Sequence, residues 1–478
     1  MKDSGIEWLG EVPAHWEVRR LKYLLKERDT RSLAGCEQLL SVSQYNGVTK
    51  REPSGDGGLP DTRAASLVGY KRVDPDDLVV NIMLAWNGSM GVSQFPGITS
   101  PACCVYRFRQ NSHPWYYHHL LRSSIYRAYI KADSTGVVES RLRLYTEDLY
   151  RLETHVPPLP EQSAIVRFLD HAYRRIQLYI QTKQKLLQLL EEQKQAIIHQ
   201  SVTGQIDVQT GKPYPAYKPS GVKWLGDVPE HWEVCKLGQI GRFLKGNGGN
   251  REDEVSAGIP CVRYGDLYTK HKYFILQSRS FVSEQKAMNY TPIRFGDVLF
   301  AGSGETIEEI GKAAVNFLHS DAVCGGDVII LRPSRQFDAE FMGYAMDCRS
   351  VATQKAVMGR GITVMHIYSS NLKNVTVCLP PLSEQKAIGR HLGNINSALD
   401  SAISNGHQEI ELLNEYRTRL IADVVTGKVD VRDVVGELPD TDSITDPDVD
   451  GTVHDGPGIK DENQPHVRTQ DQDEEVTT

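Results

Sequence analysis

Ser4-Gly5-Ile6-Glu7-Trp8-Leu9-Gly10-Glu11-Val12-Pro13-Ala14-His15-Trp16-Glu17-Val18 is written a second time as Ser220-Gly221-Val222-Lys223-Trp224-Leu225-Gly226-Asp227-Val228-Pro229-Glu230-His231-Trp232-Glu233-Val234, with eleven of fifteen positions identical at an offset of 216. Two tryptophans, a proline and a histidine recurring in one register mark an internal duplication, and the rest of the chain is organised around it. Two further echoes follow at an offset of 223: Pro157-Pro158-Leu159-Pro160-Glu161-Gln162 matches Pro380-Pro381-Leu382-Ser383-Glu384-Gln385, and Thr203-Gly204-Gln205-Ile206-Asp207-Val208 matches Thr426-Gly427-Lys428-Val429-Asp430-Val431. The offset does not change between them, so the enclosed segments have equal length in both halves. The seven-residue drift from 216 falls in what lies between.

The enclosed segments read as helices. Each starts after a double proline, carries Glu161 or Glu384 in its first turn where the helix dipole favours an acid, and stops at Gly204 or Gly427. In the first, Ile165, Leu169, Ala172, Ile176, Tyr179, Lys183, Leu186, Leu190, Gln193 and Ile197 alternate steps of four and three, as a coiled-coil seam does. The second repeats the register at Ile388, Leu392, Ile395, Leu399, Ala402, Gly406, Glu409, Leu413, Tyr416 and Leu420. At about 1.5 Å per residue each helix spans roughly 60 Å. A helix with one apolar seam needs a partner, and the duplicate is the nearest. Antiparallel pairing is expected because each helix follows its own globular segment, and Lys183, Gly406 and Glu409 interrupt the seam where they can fix its register. The alternative, each helix packing on its own domain, leaves the equal lengths unexplained.

Between the echoes lie residues 19–156 and 235–379, with strand-like runs such as Asp77-Leu78-Val79-Val80-Asn81, Cys104-Val105-Tyr106-Arg107-Phe108, Asp297-Val298-Leu299-Phe300 and Asp327-Val328-Ile329-Ile330-Leu331 among Gly-rich turns. Each reads as a mixed α/β domain. Gly136, Tyr145 and Leu149 match Gly359, Tyr368 and Leu372 at the 223 offset, but most other side chains differ, so one frame presents two surfaces.

The 478 residues exceed one core, and 40% hydrophobic residues with a mean hydropathy of -0.39 describe folded, soluble domains. Net charge is -7, yet residues 436–478 hold 13 Asp and Glu against 2 Lys and Arg, and so few large apolar groups that disorder is expected there. The remainder is mildly basic, which suits a polyanionic partner. Eight cysteines show no metal spacing and no disulfide framework, which points to a reduced, cytoplasmic protein without bound metal. No signal peptide or membrane-spanning run is apparent.

No enzyme constellation emerges. Gly427-Lys428, Gly211-Lys212 and Gly311-Lys312 lack the rest of a phosphate-binding loop, and no Asn-Pro-Pro-Tyr or Asp-Pro-Pro-Tyr tetrapeptide occurs. Gly246-Asn247-Gly248-Gly249 has no dinucleotide-binding continuation. Glu284-Gln285-Lys286 and Glu384-Gln385-Lys386 each offer the Glu-x-Lys end of a nuclease motif, but the second is a helix start, and His118-His119 lies in a segment of helical character. A self-contained nuclease and a scaffold binding only proteins remain the competing readings.

The duplicated Trp-Leu-Gly-x-Val-Pro-x-His-Trp segment, the duplicated Pro-Pro-Leu-x-Glu-Gln helix start and the Thr-Gly-x-Ile/Val-Asp-Val end together resemble the specificity subunit of type I restriction-modification systems, over Ser4 to about Asp433. Residues 81–92 with Ser100-Pro101-Ala102, and residues 302–312, look like two branches of that family's recognition domains. The resemblance implies an α/β (α+β) chain with two target-recognition domains, at 19–156 and 235–379, separated by two long helices, at 157–204 and 380–427, that form an antiparallel coiled coil. The support segments are then 1–18 and 205–234, and 428–478 is the C-terminal segment. It further implies a non-catalytic DNA-binding subunit for a bipartite double-stranded target, docking two methyltransferase subunits and joined by restriction and translocase subunits. S-adenosylmethionine, Mg and ATP would reside on those partners and no cofactor on this chain.

Base reading needs side chains that address base edges, with Lys and Arg on phosphates. In the first domain the candidates are Gln44, Tyr45, Asn46, Lys50, Arg51, Trp86 and Asn87. In the second they are Lys245, Asn247, Asn250, Arg251, Arg263, Tyr264, Lys270, Lys272, Ser303 and Arg360. Trp8, Trp16, Trp224 and Trp232 are expected to anchor the support.

Overall fold

The computed structural model describes residues 1–5, 10–51, 64, 66–138, 141–249, 251–304, 306–307, 309–361 and 364–439. Most of the acidic C-terminal segment, Trp8 and Asn250 lie outside the described residues, as does the side chain of Arg251. The chain forms two compact units, one built from 1–174 with 418–478 and the other from 175–417.

The first unit centres on a four-stranded antiparallel sheet in the order Leu25–Glu27, Cys103–Phe108, Leu78–Asn81, Met90–Val92. Successive side chains of a strand point to opposite faces. Leu78, Val80, Cys104 and Tyr106 therefore pack with Tyr116, Tyr117, Leu120 and Tyr126 of the helices Pro114–Arg122 and Ser124–Asp133. Val79, Cys103 and Val105 pack on the other face with Leu40, Val48 and Val73. Cover on both faces explains why the run at 78–80 is apolar at every position rather than alternating.

The second unit repeats this frame. Its sheet runs Gly241–Lys245, Val328–Pro333, Val298–Ala301, Ala313–Asn316, with Phe274–Ile275 added at the edge. The same split recurs: Val298 and Phe300 join Phe341 and Met342 of the helix Ala339–Met346, and Leu299 and Ala301 join Val262 and Leu267. A second five-stranded sheet, from Glu254–Val255 to Thr291–Ile293, covers that far face, where the first unit has short hairpins. A buried aspartate precedes the central strand in each unit. Asp77 meets Arg28 at 3.0 Å and Arg107 at 3.6 Å, and Asp297 meets Arg332 at 2.7 Å; each also accepts the main-chain N–H three residues before it. Burial pushes the Asp77 carboxyl up, against the pull of those partners.

The two long helices are Leu159–Val202 and Leu382–Val425, 44 residues each, with both ends at the 223 offset. Gly204 and Gly427 follow them with φ of 75° each, the left-handed conformation in which glycine ends a helix without strain. Within the second unit the helices run antiparallel. Lys183 pairs with Glu409 at 2.6 Å, Lys194 pairs with Asp400, and Arg417 donates to Gln177 at 3.4 Å, so one partner's number falls as the other's rises. Lys194–Asp400 and Arg417–Gln177 are the same contact in the two copies, since each residue finds its counterpart at the 223 offset. The interruption at Gly406 admits Leu187, whose Cδ2 would lie 2.5 Å from an added Cβ.

The seam corrects the heptad expectation. It repeats every eleven residues: Ile165, Ile176, Leu187 and Ile198 form one line, and Leu169, Ile180, Glu191 and Val202 another. None of these is exposed, nor are their counterparts at Ile388, Leu392, Leu399, Ile403, Ile410 and Ile421. Leu186 and Tyr179, expected on the seam, are 46% and 51% exposed, whereas Ile180 and Leu187 are buried. Tyr416 is 54% exposed, and Leu190, Ile197, Leu413 and Leu420 are half-buried. An α-helix has 3.6 residues per turn, so a strict seven-residue stripe drifts around it by about 20° each repeat, and steps of 4, 3 and 4 follow the face more closely.

Candidate nucleic-acid interface

The duplicated motifs build the same junction in each unit. In the first, His15 Nε2 lies 2.7 Å from Glu161 at the start of the long helix, and in the second His231 Nε2 lies 2.9 Å from Glu384. Gln162 donates to the Pro157 carbonyl and accepts the N–H of His113, which caps the helix Pro114–Arg122. Gln385 does the same with Pro380 and Asp338. Trp16 and Trp232 are buried beside the glycines that end the helices: Cβ atoms added at Gly427 and Gly204 would meet Pro13 Cδ and Pro229 Cδ at 2.5 and 2.4 Å. Trp224 is 42% exposed. The last helical carbonyl is also capped twice. His155 Nε2 donates to the Val425 oxygen at 2.6 Å, and the Cys378 thiol, at the equivalent position, donates to the Val202 oxygen at 3.2 Å. The motifs are thus junction chemistry, and they leave the surfaces beyond the sheets free to differ.

In the first unit the candidates gather on two neighbouring loops. Gln44, Tyr45 and Asn46 form the turn of the hairpin Leu40–Ser43 with Gly47–Lys50; Tyr45 is 77% exposed and Asn46 is exposed. Lys50 lies over the Phe95 ring at 4.6 Å, and Arg51 is exposed. Trp86 and Asn87 occupy the loop between Leu78–Asn81 and Met90–Val92, where Lys131 lies over the Trp86 ring at 5.5 Å. Asn87 differs from the expectation: its Oδ1 accepts both the N–H and the hydroxyl of Ser89, which engages it in closing the turn. A residue that sequence reading missed joins the loops. Arg122, at the end of Pro114–Arg122, donates to the carbonyls of Ser43, Gln44 and Tyr45 in the hairpin and of Gly88 and Met90 in the other loop. The available signal was its spacing of four from His118, which puts both on one helix face; His118 Nδ1 accepts the Val92 N–H at 3.1 Å.

In the second unit the candidates divide. Lys245 and Asn247 are exposed on a glycine loop whose Gly248 carbonyl accepts the N–H of Gly326 at 2.6 Å. Arg263 reaches the same place, its Cγ 3.9 Å from a Cβ added at Gly325, but its guanidinium pairs with Glu254 at 3.0 Å. Tyr264 and Lys270, on and just after the short helix Tyr264–Thr269, are exposed. That helix abuts the 302–312 loop, where the Tyr268 hydroxyl donates to the Glu309 carbonyl. Arg360 is exposed and its main chain bridges His366. Ser303 is drawn inward, while Lys272 stays exposed within an ion pair. Ser303 is only 6% exposed and lies 3.0 Å from His366 Nδ1, and Lys272 pairs with Glu191 of the first long helix at 2.8 Å. The residue missed here is Lys355, 1% exposed, which donates to the carbonyls of Gly311 and Met346 and to Asp347.

Among the described residues no three His, Cys, Asp or Glu side chains gather as a metal ion requires, and no helix is long and apolar enough to cross a membrane.

Residues 229–412 match the family model described as the type I restriction modification DNA specificity domain. The chain is 22% identical over 444 residues to the type I restriction enzyme MjaVIII specificity subunit of Methanocaldococcus jannaschii, an alignment spanning 88% of this chain and 95% of that protein. A chain from a solved structure entitled "Structural basis underlying complex assembly and conformational transition of the type I R-M system" superposes with a TM-score of 0.65 at 17% identity, covering 88% of this chain and 100% of its own. The HsdS subunit from Thermoanaerobacter tengcongensis superposes with a TM-score of 0.51 at 18% identity, covering 90% of this chain and 100% of its own. These solved structures share the fold built above, and residues 229–412 are similar to the type I restriction modification DNA specificity domain.

Proposed function

We propose that the chain reads DNA for its complex and does no chemistry itself. Each recognition domain, 19–156 and 235–379, addresses one half of an asymmetric bipartite site, while the paired helices set the unspecified spacer and dock two methyltransferase subunits. Restriction and translocase subunits join that core in the cytoplasm. S-adenosylmethionine, Mg and ATP are held by those partners. The observation that carries this reading is one scaffold presenting two unlike surfaces: the same sheet order and the same helix junctions appear twice, yet the loops at 44–46 and 86–90 have no side-chain counterpart at 245–249 and 302–312. A repeated support suits two identical partners, and unlike readers suit an asymmetric site. Phosphate contacts would position the domains and base-edge contacts specify the sequence.

The test is to purify the chain with its methyltransferase partner and locate methylated bases across a genome or a random-sequence library. Two short specified blocks at fixed spacing are expected, and replacing residues 40–50 should alter one block alone. Metal-dependent cutting by the isolated chain would instead establish a nuclease, and the absence of any sequence-dependent DNA affinity in the complex would leave a protein scaffold.

A further inference from the structure

The two candidate loops of the first unit touch a common cation. Arg122 Nη1 donates to Ser43, Gly88 and Met90 at 3.3, 3.2 and 2.6 Å, and Nη2 to Gln44 and Tyr45 at 3.1 and 2.7 Å. Every acceptor is a main-chain oxygen, so this attachment is indifferent to the side chains the loops carry. The planar guanidinium is suited to the task, since its five N–H groups diverge in fixed directions while an ammonium offers three from a single atom. Two glycines bring the loops close enough to share it: a Cβ added at Gly91 would lie 3.1 Å from Gly47 Cα.

The charge is as informative as the geometry. A guanidinium withdrawn from water is usually paired with a carboxylate, but among the described residues the half-buried Arg122 has only carbonyl acceptors, with Arg127 and Tyr173 as neighbouring titratable groups. Burial, and then Arg127, lower its pKa to about 10, which leaves it cationic at neutral pH. A positive charge that meets no acid among the described residues thus bonds the main chain of the exposed Tyr45.

We propose that Arg122 is the positioning residue for base reading by the first domain, clamping the hairpin turn and the Trp86–Asn87 loop into one surface whose side chains remain free to specify sequence. The proposal rests on the reading of these loops as DNA-facing.

The experiment uses the full chain assembled with its methyltransferase, and competitor duplexes carrying each single base change in both half-sites. A wrong base pair ordinarily lowers affinity by about 5- to 150-fold. With Arg122→Gln, these penalties are expected to fall below about 3-fold in the half-site read by the first domain and to persist in the other. Arg122→Lys keeps the charge, so it should retain overall affinity and its salt dependence yet lose discrimination in that same half-site, a separation that general destabilisation does not produce. Full discrimination by folded Arg122→Gln, or equal loss in both half-sites, overturns the proposal. Should Arg122→Gln not fold, Arg122→Lys decides with amide exchange: faster exchange at 43–46 and 88–90 with lost discrimination supports the clamp, and unchanged discrimination refutes it. Gln44→Ala with Asn46→Ala tests the underlying reading separately. If that pair leaves both half-sites unaltered, the loops do not face DNA; if it alters one and Arg122→Lys alters none, only the clamp fails.

Discussion

The two units solve one problem by different chemistry. Each must hold a loop that follows its central strand, and each does so with a cation donating to main-chain oxygens, half-buried in the first unit and buried in the second. In the first unit that cation is Arg122, at the end of the helix Pro114–Arg122, with no acid opposite it among the described residues. In the second it is Lys355, in the following helix Arg349–Met358, and it also meets Asp347 at 3.2 Å. The features that built the frame, Asp77 with Arg107 and Asp297 with Arg332, stayed the same while the loop supports diverged. A scaffold can therefore keep its buried structure and exchange its loop surface, provided that loops are tied through backbone atoms.

The sharpest way to break this comparison is to remove both cations. Lys355→Met strands the partly buried Asp347 and two carbonyls, and should destabilise the second unit by about 3–5 kcal/mol. Arg122→Met strands carbonyls alone and should cost about 1–3 kcal/mol. Urea unfolding of both variants, followed by amide exchange in each unit, measures the difference; a larger loss from Arg122→Met would mean that the acid is immaterial.

Acid separates the units next. His155 and Cys378 cap equivalent helix ends, but only His155 titrates in mild acid. Burial lowers its pKa to about 4 from 6.5, with the hydrogen bond to the Val425 carbonyl acting the other way. The unfolded chain binds this proton first, so the stability it confers is complete above about pH 6.5 and is lost as pH falls toward about 4, by up to about 3 kcal/mol. His118 and His119, also lowered by burial, add to the loss in the same unit. His155→Cys, copying the second unit, should flatten the pH 4–6.5 unfolding profile of the first, and an unchanged profile would assign the dependence to the other histidines.

The smallest effect sharpens the likeness of the two copies. Gln177→Glu would turn the Gln177–Arg417 contact into an ion pair like Lys194–Asp400, and should raise the melting temperature slightly, by about 0.3–0.5 kcal/mol of stability, an increment that salt removes.

Much of this architecture was legible because it was duplicated. The helix limits, the terminating glycines and the antiparallel pairing within the second unit follow from the constant 223 offset and the seam. The seam's phase was not legible, for a local reason: Leu186-Leu187, Leu189-Leu190 and Ile197-Ile198 are apolar doublets, in which composition cannot tell which member faces inward. The reading surface was less legible still. Asn87, Ser303, Arg263 and Lys272 have the chemistry of base or phosphate contacts, but the fold engages them in a turn, a buried hydrogen bond and two ion pairs. Arg122 and Lys355 went unnoticed because main-chain acceptors spread over separate elements, five for the one and two for the other, leave no sequence motif.

The eleven-residue seam bears on the spacer proposed above. Lengthening both helices by one such repeat keeps every inward position in place and adds about 16 Å. If the paired helices set the spacer, as proposed, that length is about five base pairs of duplex, roughly half a turn, and the second half-site would come to lie on the far side of the double helix. Two repeats add about 33 Å and bring it back. On the proposed reading, protein and DNA are two screws of different pitch that return to phase at every second step, and the accessible spacers would form a discrete ladder rather than a continuum.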